Sequence, residues 1–330
     1  MSPDPPPVWP ISFQDVLAAR DRIRPFLPGT PLRSYAPLDG AVGRGIRVLV
    51  KHENHNPTNS FKARNGLALL SALPEEARRR GVVAATRGNH GLGLAWAGSL
   101  LGVPVTICVP VGNNPEKNEA MRGYGVELIE QGRDYDEVVR VAEALRRERG
   151  LRLAHSTNDP LVIAGAGTLT LEILEESPRL DALVVGVGGG SQAVGALSVA
   201  RHLRPELKVF GVQAERASAI HDSWHAGRPI ARDSADTFAD GLATRNVYDL
   251  TFPALRAGLA GFVTVSEAEI AEALRLFLRA THNLAEGAGA AGLAGLFKLR
   301  DTLAGRSVAV VLSGSNIDTP TLRRVLSGEL

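Results

Sequence analysis

Apolar residues recur at helical spacing in SFQDVLAARDRIRPFL, with Ser12 placed as an N-cap. TPLRSYAPL reads as an extended lead-in and IRVLVKHE as a strand, and FKARNGLALLSAL returns to helical spacing. GVVAATRGNHGLGLAWAGSLLG joins a short apolar run, a glycine-bearing turn and a helix. VPVTICVP, EKNEAMRGYG, VELIEQ and YDEVVRVAEALRRERG continue the alternation of strand and helix. LVIAGAGTLTLEILEE predicts a helix opening in a glycine-rich segment, and ALVVGVGGG a buried strand that runs into glycines before the helix AVGALSVARHL. KVFGVQAE and SVAVVLSGSN are further buried strands. Continuous apolar strands separated by helices predict parallel sheets covered on both faces. The chain has no internal repeat, and no low-complexity segment beyond its first ten residues.

Composition narrows the class. At 330 residues the chain is long enough for two domains, and 44% hydrophobic with 22% charged residues is the balance of a soluble globular protein. A net charge of +2 provides no large basic surface for nucleic acid; the arginines of EEARRRG and ALRRERG read as solvated helix faces. The single cysteine, Cys108, cannot form an internal disulfide and sits in an apolar run, as a buried thiol would. No apolar run approaches the roughly 18 residues of a membrane span. The N-terminus MSPDPPPVWP lacks the charged start and apolar core of a signal peptide and reads as a short flexible arm, so the cytoplasm is the expected compartment.

Three stretches carry candidate chemistry. In VVGVGGGSQAVGA, Gly188, Gly189, Gly190 and Ser191 lie between a strand and a helix, where backbone N–H groups and a helix N-terminus converge as they do on a phosphate. A tight turn without ligand has the same pattern. No Lys-Ser or Lys-Thr follows, so it is not a nucleotide-binding P-loop, and the dinucleotide fingerprint is absent too. ATRGNHGLG also opens a helix, and Gly88, Asn89 and His90 form a second candidate anion site, for a carboxylate. VLSGSNID puts Ser313 at the end of a third buried strand, where ligands of open α/β sheets gather. Lys62, in NPTNSFKARNG, is by itself no more than a lysine near a helix start. An amine beside a phosphate cradle, a carboxylate cradle and a neutral hydroxyl is, together, what pyridoxal phosphate requires.

The ordered motifs KHENHNPTNSFKARNG, TRGNHG, VIAGAGTLTLEI, VGGGS, KVFGVQAE, DGLAT, EGAGAAGLAGL and LSGSNID resemble those of the fold type II pyridoxal-phosphate enzymes, in particular the serine/threonine dehydratase and serine racemase family, over residues 30–318. The resemblance implies a tryptophan-synthase-β-like fold of two open α/β domains with mostly parallel sheets and the cofactor in the cleft between them. It implies a large cofactor-binding domain of residues 1–55 and 156–330, a small substrate-binding domain of residues 56–155, and a homodimer. Lys62 is then the Schiff-base lysine and the base for the α-proton. Phe61 packs on the pyridine ring, Asn89 contacts the ring hydroxyl, Gly188, Gly189, Gly190 and Ser191 bind phosphate, and Ser313 faces the ring nitrogen. Ser60, Thr86, Arg87, Gly88, Asn89 and His90 line the substrate site. The implied reaction is deamination of a β-hydroxy-α-amino acid, L-threonine or L-serine, to the 2-oxo acid and ammonia. Rival expectations are 3-hydroxyaspartate or an ectoine- or hydroxyectoine-pathway intermediate as substrate, or a non-catalytic cofactor-binding sensor.

Departures qualify the resemblance. Asn59 and Asn65 stand where the family usually has glycine. Arg87 stands where racemases carry a second serine, and a guanidinium cannot act as a base near neutral pH. It either recognises a further substrate acid or points to solvent. Gln213 and Ala219 occupy the places of the racemase branch's acidic metal ligands, so no metal is expected. The chain ends soon after LSGSNID, leaving no room for the C-terminal regulatory domain of biosynthetic threonine deaminases, so control by isoleucine is not expected.

Overall fold

A computed structural model describes residues 9–133 and 135–330; the expected N-terminal arm, at residues 1–8, lies outside the described residues. Ten strands form among them: β1 (Leu32–Ser34), β2 (Arg47–His52), β3 (Val82–Ala85), β4 (Val105–Val109), β5 (Glu127–Glu130), β6 (Arg152–Leu153), β7 (Ala182–Gly186), β8 (Lys208–Ala214), β9 (Gly261–Val265) and β10 (Ser307–Leu312). They build a six-stranded sheet in the order β1-β2-β10-β7-β8-β9 and a four-stranded sheet in the order β5-β4-β3-β6. Every pairing is parallel except β1 with β2, so the expectation of mostly parallel sheets holds. The apolar runs behave as predicted: β3, β4 and the last five residues of β2 and of β10 are buried almost throughout.

Local signals explain most element ends. Ser12 caps Phe13–Ile23 in a capping box with Asp15, and Ser266 caps Glu267–Thr281 in another with Glu269. The extended lead-in is shorter than its pattern predicts. Only Leu32–Ser34 is strand, and Ala36–Val42 is helical, because Pro37 falls in the first turn, where its fixed φ and missing N–H suit a helix start. β9, a short edge strand, lies in a stretch that the apolar pattern leaves unassigned. Cys108 is buried in β4, as its apolar neighbours predict.

One apolar core joins the two sheets. Val82 and Ala84 of the small sheet and Leu183 and Val185 of the large one belong to the same buried cluster as Leu67, Leu94 and Ile163 of the helices Lys62–Ser71, Asn89–Leu101 and Pro160–Glu176. The first two of these helices cross with almost no side chain between them. A Cβ on Gly66 would lie 2.3 Å from the Gly93 carbonyl oxygen, and a Cβ on Gly93 would lie 2.2 Å from that of Lys62. Only glycine permits this approach. It sets the helix that starts at Lys62 directly against the helix that starts at Asn89. No helix among the described residues is long and apolar enough to cross a membrane.

Candidate active site

The segment before Lys62 is tied to the end of β10, about 250 residues away in sequence, by ordinary backbone hydrogen bonding. Ser60 bridges to Gly314, and the Phe61 N–H donates to the Ser313 carbonyl at 3.0 Å. Asn59 takes the left-handed conformation, φ 54°, that the family's usual glycine would supply, and asparagine tolerates it where most side chains do not. Asn65 is wholly buried in the Lys62 helix, and its amide has no hydrogen-bond partner among the described residues.

The Lys62 amine projects into a cavity of about 420 Å³ and donates to the Ser156 carbonyl at 2.9 Å. It lies 4.9 Å from the centroid of the Phe61 ring. Burial lowers its pKa to about 8, and no carboxylate among the described residues pairs with it to oppose that effect. His90 and His155 are also held neutral: burial first, and the nearby Lys62 second, lowers them to about 3 and about 4. The His90 ring donates through Nε2 to the Ala154 carbonyl at 2.8 Å, and the His155 Nδ1 accepts from the N–H groups of Thr157 and Asn158.

Facing Lys62 across the cavity is the glycine loop between β7 and the helix Ser191–Leu203. Gly190 is left-handed, at φ 101°. Cβ atoms on Gly188 and Gly189 would lie 2.1 Å from the Gly241 carbonyl oxygen and 2.2 Å from the Thr157 Oγ1, so neither position admits a side chain. Among the described residues the N–H groups of Gly188, Gly189 and Gly190 find no backbone acceptor, whereas those of Val187 and Val194 on either side are bonded. Unpaired amides at a helix N-terminus are donors awaiting an anion. The Ser313 hydroxyl, on the same cavity, donates weakly to the Ala288 carbonyl at 3.4 Å and has no charged partner.

The TRGNHG loop supplies a third wall. The Thr86 Oγ1 accepts from the N–H groups of Gly88, at 3.0 Å, and Gly91, at 3.4 Å, closing the turn. The Asn89 side chain is held between Glu286 and Asn316. Arg87 lines the cavity yet is exposed, with no ion pair among the described residues, so it stands at the mouth.

Phe61, Lys62, Thr86, Arg87, Gly88, Asn89 and His90 therefore meet Gly188, Gly189, Gly190, Ser191 and Ser313 around one space. Ser60, expected to face substrate, is wholly buried, is absent from the cavity wall and has an unpartnered Oγ, and its backbone bridges to Gly314. Residues that the motifs did not single out also line the cavity: Lys117, Tyr135, Ser156, Thr157, Asp240 and Glu286. Glu286 and Asp240 lie inside EGAGAAGLAGL and DGLAT, a signal of place but not of role; Lys117 and Thr157 carried no signal at all. Lys117 bonds Asp240 at 2.6 Å, joining the helix Pro115–Arg122 to the loop under the glycine turn. The Gln213 side chain, where the racemase branch has a metal ligand, accepts from the His221 N–H at 2.9 Å.

Comparison with known proteins agrees with this geometry. The family model described as pyridoxal-phosphate dependent enzyme matches residues 23–314. An L-threonine ammonia-lyase of Thermotoga maritima is 36% identical over 317 residues, covering 96% of this chain and 78% of that protein. An L-threo-3-hydroxyaspartate ammonia-lyase of a Pseudomonas species is 34% identical over 317 residues, covering 96% and 99%. Among solved structures, a threonine deaminase of T.th. has a TM-score of 0.87 at 37% identity, covering 93% of this chain and 99% of that one. Maize serine racemase has a TM-score of 0.91 at 28% identity, covering 97% and 98%. The chain belongs to the pyridoxal-phosphate dependent enzyme family.

Proposed function

We propose that this pyridoxal-phosphate-dependent enzyme is an ammonia-lyase that converts a β-hydroxy-α-amino acid, L-threonine or L-serine, to the 2-oxo acid and ammonia. One observation carries it: a lysine amine inside a cavity, lowered to about 8 and bonded to the Ser156 carbonyl with no carboxylate partner among the described residues, shares that cavity with three glycines whose amides have no backbone acceptor among those residues. The same features fit the cofactor. The amine suits its aldehyde, the loop that no Cβ could enter suits its phosphate, and the uncharged Ser313 suits its ring nitrogen.

When bound, pyridoxal phosphate supplies the electron sink that makes the substrate's α-proton removable. Lys62 holds it and then serves as the base at the α-carbon, with a pKa close to the operating pH, as general bases require. Gly188, Gly189, Gly190 and Ser191 hold the phosphate, and Phe61 packs against the ring. Ser313, an uncharged hydroxyl, would be the residue that meets the ring nitrogen, a partner that would suit the loss of a β-hydroxyl. Thr86, Gly88, Asn89 and His90 receive the substrate carboxylate. His90 and His155, both neutral, do not compete with Lys62 for the proton. The division into residues 56–155 as the substrate-binding part and the remainder as the cofactor-binding part belongs to this proposal, as do a cytoplasmic location and a homodimer; light scattering of the purified protein tests the last.

A second substrate is favoured by Arg87. An exposed guanidinium on the cavity wall, without an ion-pair partner among the described residues, is placed to receive a distal carboxylate, such as that of 3-hydroxyaspartate. The test measures ammonia and 2-oxo acid release by cofactor-loaded protein from L-serine, L-threonine, their D-forms and both 3-hydroxyaspartate diastereomers. Turnover of L-threonine or L-serine that vanishes in Lys62→Ala supports the main proposal. Turnover of 3-hydroxyaspartate alone, lost in Arg87→Ala, moves the assignment to the dicarboxylic substrate. No turnover of any of them overturns the ammonia-lyase.

A further inference from the structure

Asn89 does not face the cavity as a freely turning amide. Its Nδ2 donates to the Glu286 Oε1 at 2.6 Å, and its Oδ1 accepts from the Asn316 Nδ2 at 2.7 Å. The orientation of Asn316 is itself forced. Its Nδ2 also donates, at 2.9 Å, to the Thr58 carbonyl, an acceptor and nothing else, so the oxygen of that amide must lie on the other side, where Asn59 donates to it at 3.4 Å. Glu286 is fastened at both ends. Its N–H donates to the Gly314 carbonyl at 3.0 Å, and its carboxyl takes the Asn89 Nδ2 at 2.6 Å. Donation thus starts at the Asn316 Nδ2, which Thr58 holds in place, and runs in one direction through Asn89 to Glu286.

We propose that Glu286 and Asn316 are positioning residues that lock the Asn89 amide so that it offers an N–H, never a lone pair, to the ligand in the cavity. A primary amide has two N–H groups. One is used on Glu286, and because Asn89 lines the cavity the other is left for the ligand. Turning the amide over would set N–H against N–H at Asn316 and oxygen against oxygen at Glu286. The lock does not depend on the charge of Glu286: burial raises its pKa, with Lys117 opposing, and either protonation state keeps an oxygen able to accept from Asn89. Resting on the pyridoxal-phosphate assignment above, the group that meets this N–H is the ring hydroxyl oxygen of the cofactor, and a donor at that point favours its deprotonated form.

The bound cofactor reports this state directly. With the ring oxygen deprotonated it absorbs in the visible, and with it protonated in the near ultraviolet. Wild type, Asn316→Asp, Glu286→Ala and Asn89→Asp are loaded with pyridoxal phosphate, and the ratio of the two bands is read at one pH. In Asn316→Asp the aspartate can only accept, so the donor that fixes the Asn89 oxygen is lost and the turned amide, with its oxygen toward the cavity, becomes populated. Exchanging a donor for an acceptor next to a charged oxygen is expected to move the ratio toward the near ultraviolet about tenfold. Asn89→Asp sets the limit of that shift, and Glu286→Ala gives a smaller change of the same sign. Variants that hold the cofactor less tightly at an unchanged ratio overturn the proposal, since a merely structural role predicts that result. Should Asn316→Asp fail to fold by far-ultraviolet circular dichroism, Glu286→Ala decides in the same way. A wild-type protein that forms no visible band overturns the cofactor assignment itself, and with it this proposal.

Discussion

The Arg64 guanidinium grips the Glu53 carboxylate with two hydrogen bonds, of 2.8 and 3.0 Å, and neither side chain touches solvent. Arg64 lies two residues beyond Lys62 on the same helix, and Glu53 follows directly on β2. The other edge of the guanidinium bonds Glu172 at 2.6 and 2.8 Å, and Lys51 reaches Glu172 at 2.6 Å. Burial opposes the charge of both Arg64 and Glu53, but each overcomes it in the other: Arg64 is held above its ordinary pKa and Glu53 below. The helix that carries the amine is therefore bolted to the large sheet and to the helix Pro160–Glu176 by ionic bonds that leave no freedom of rotation.

Removing one partner of a buried pair leaves the other uncompensated, so Arg64→Met should lower stability by about 3–5 kcal/mol. Arg64→Lys should recover only part of this, because an ammonium cannot bond both carboxylates with a planar fork. Urea denaturation of the apoprotein measures both variants; equal stability of Arg64→Met and wild type would show that the pair contributes nothing net.

The pH dependence of cofactor capture follows from Lys62. Only the neutral amine attacks an aldehyde, and burial lowers its pKa from 10.5 to about 8. The rate of visible-band formation in apoprotein mixed with pyridoxal phosphate should rise with pH and level off above about 8. Stability has the same sign. Between about 8 and 10.5 the unfolded chain keeps the proton that the folded apoprotein has lost, so this group makes the apoprotein more stable as pH rises through that window. A capture rate still rising steeply at pH 10 would contradict the lowered value.

The crossing of two glycines makes a further expectation. Gly93→Ala puts a methyl 2.2 Å from the Lys62 carbonyl oxygen, and neither backbone can yield without moving a whole helix. A cost of about 1–3 kcal/mol is expected, as for other overpacked interiors. Turnover should fall as well, since the displaced element is the one bearing Lys62. Thermal unfolding and a turnover assay separate the two effects.

At the glycine loop, Gly189→Ala would press its methyl onto the Thr157 Oγ1 at 2.2 Å. The loop must open to admit it, and the amides that face the cavity turn with it. The Kd for pyridoxal phosphate should rise about tenfold, the equivalent of ~1.4 kcal/mol, read by absorbance titration. Gly102→Ala, at a left-handed helix end far from the cavity, is the comparison that should leave Kd unchanged.

Much of this was legible in the chain itself. Apolar runs such as VPVTICVP and SVAVVL determined buried parallel strands, because a strand covered on both faces has no polar side to show. Ser12 and the glycines of VVGVGGG marked helix starts through backbone chemistry that is local. The motif order placed Lys62, Asn89, Gly188 and Ser313 at the ends of elements. Only the tertiary structure decided what those ends do to each other. Lys62 owes its lowered pKa to walls drawn from distant segments, and Ser60, two residues before it, is absent from the cavity wall and bridges to Gly314. Glu286 and Lys117 gave no local sign of their roles, since a hydrogen bond across more than a hundred residues of chain leaves no periodicity at either end. The sequence determines which residues repeat, cap and turn, because those properties act within a few residues. Burial, pairing and the direction in which an amide points belong to the packed whole, where desolvation and hydrogen-bond satisfaction are settled together.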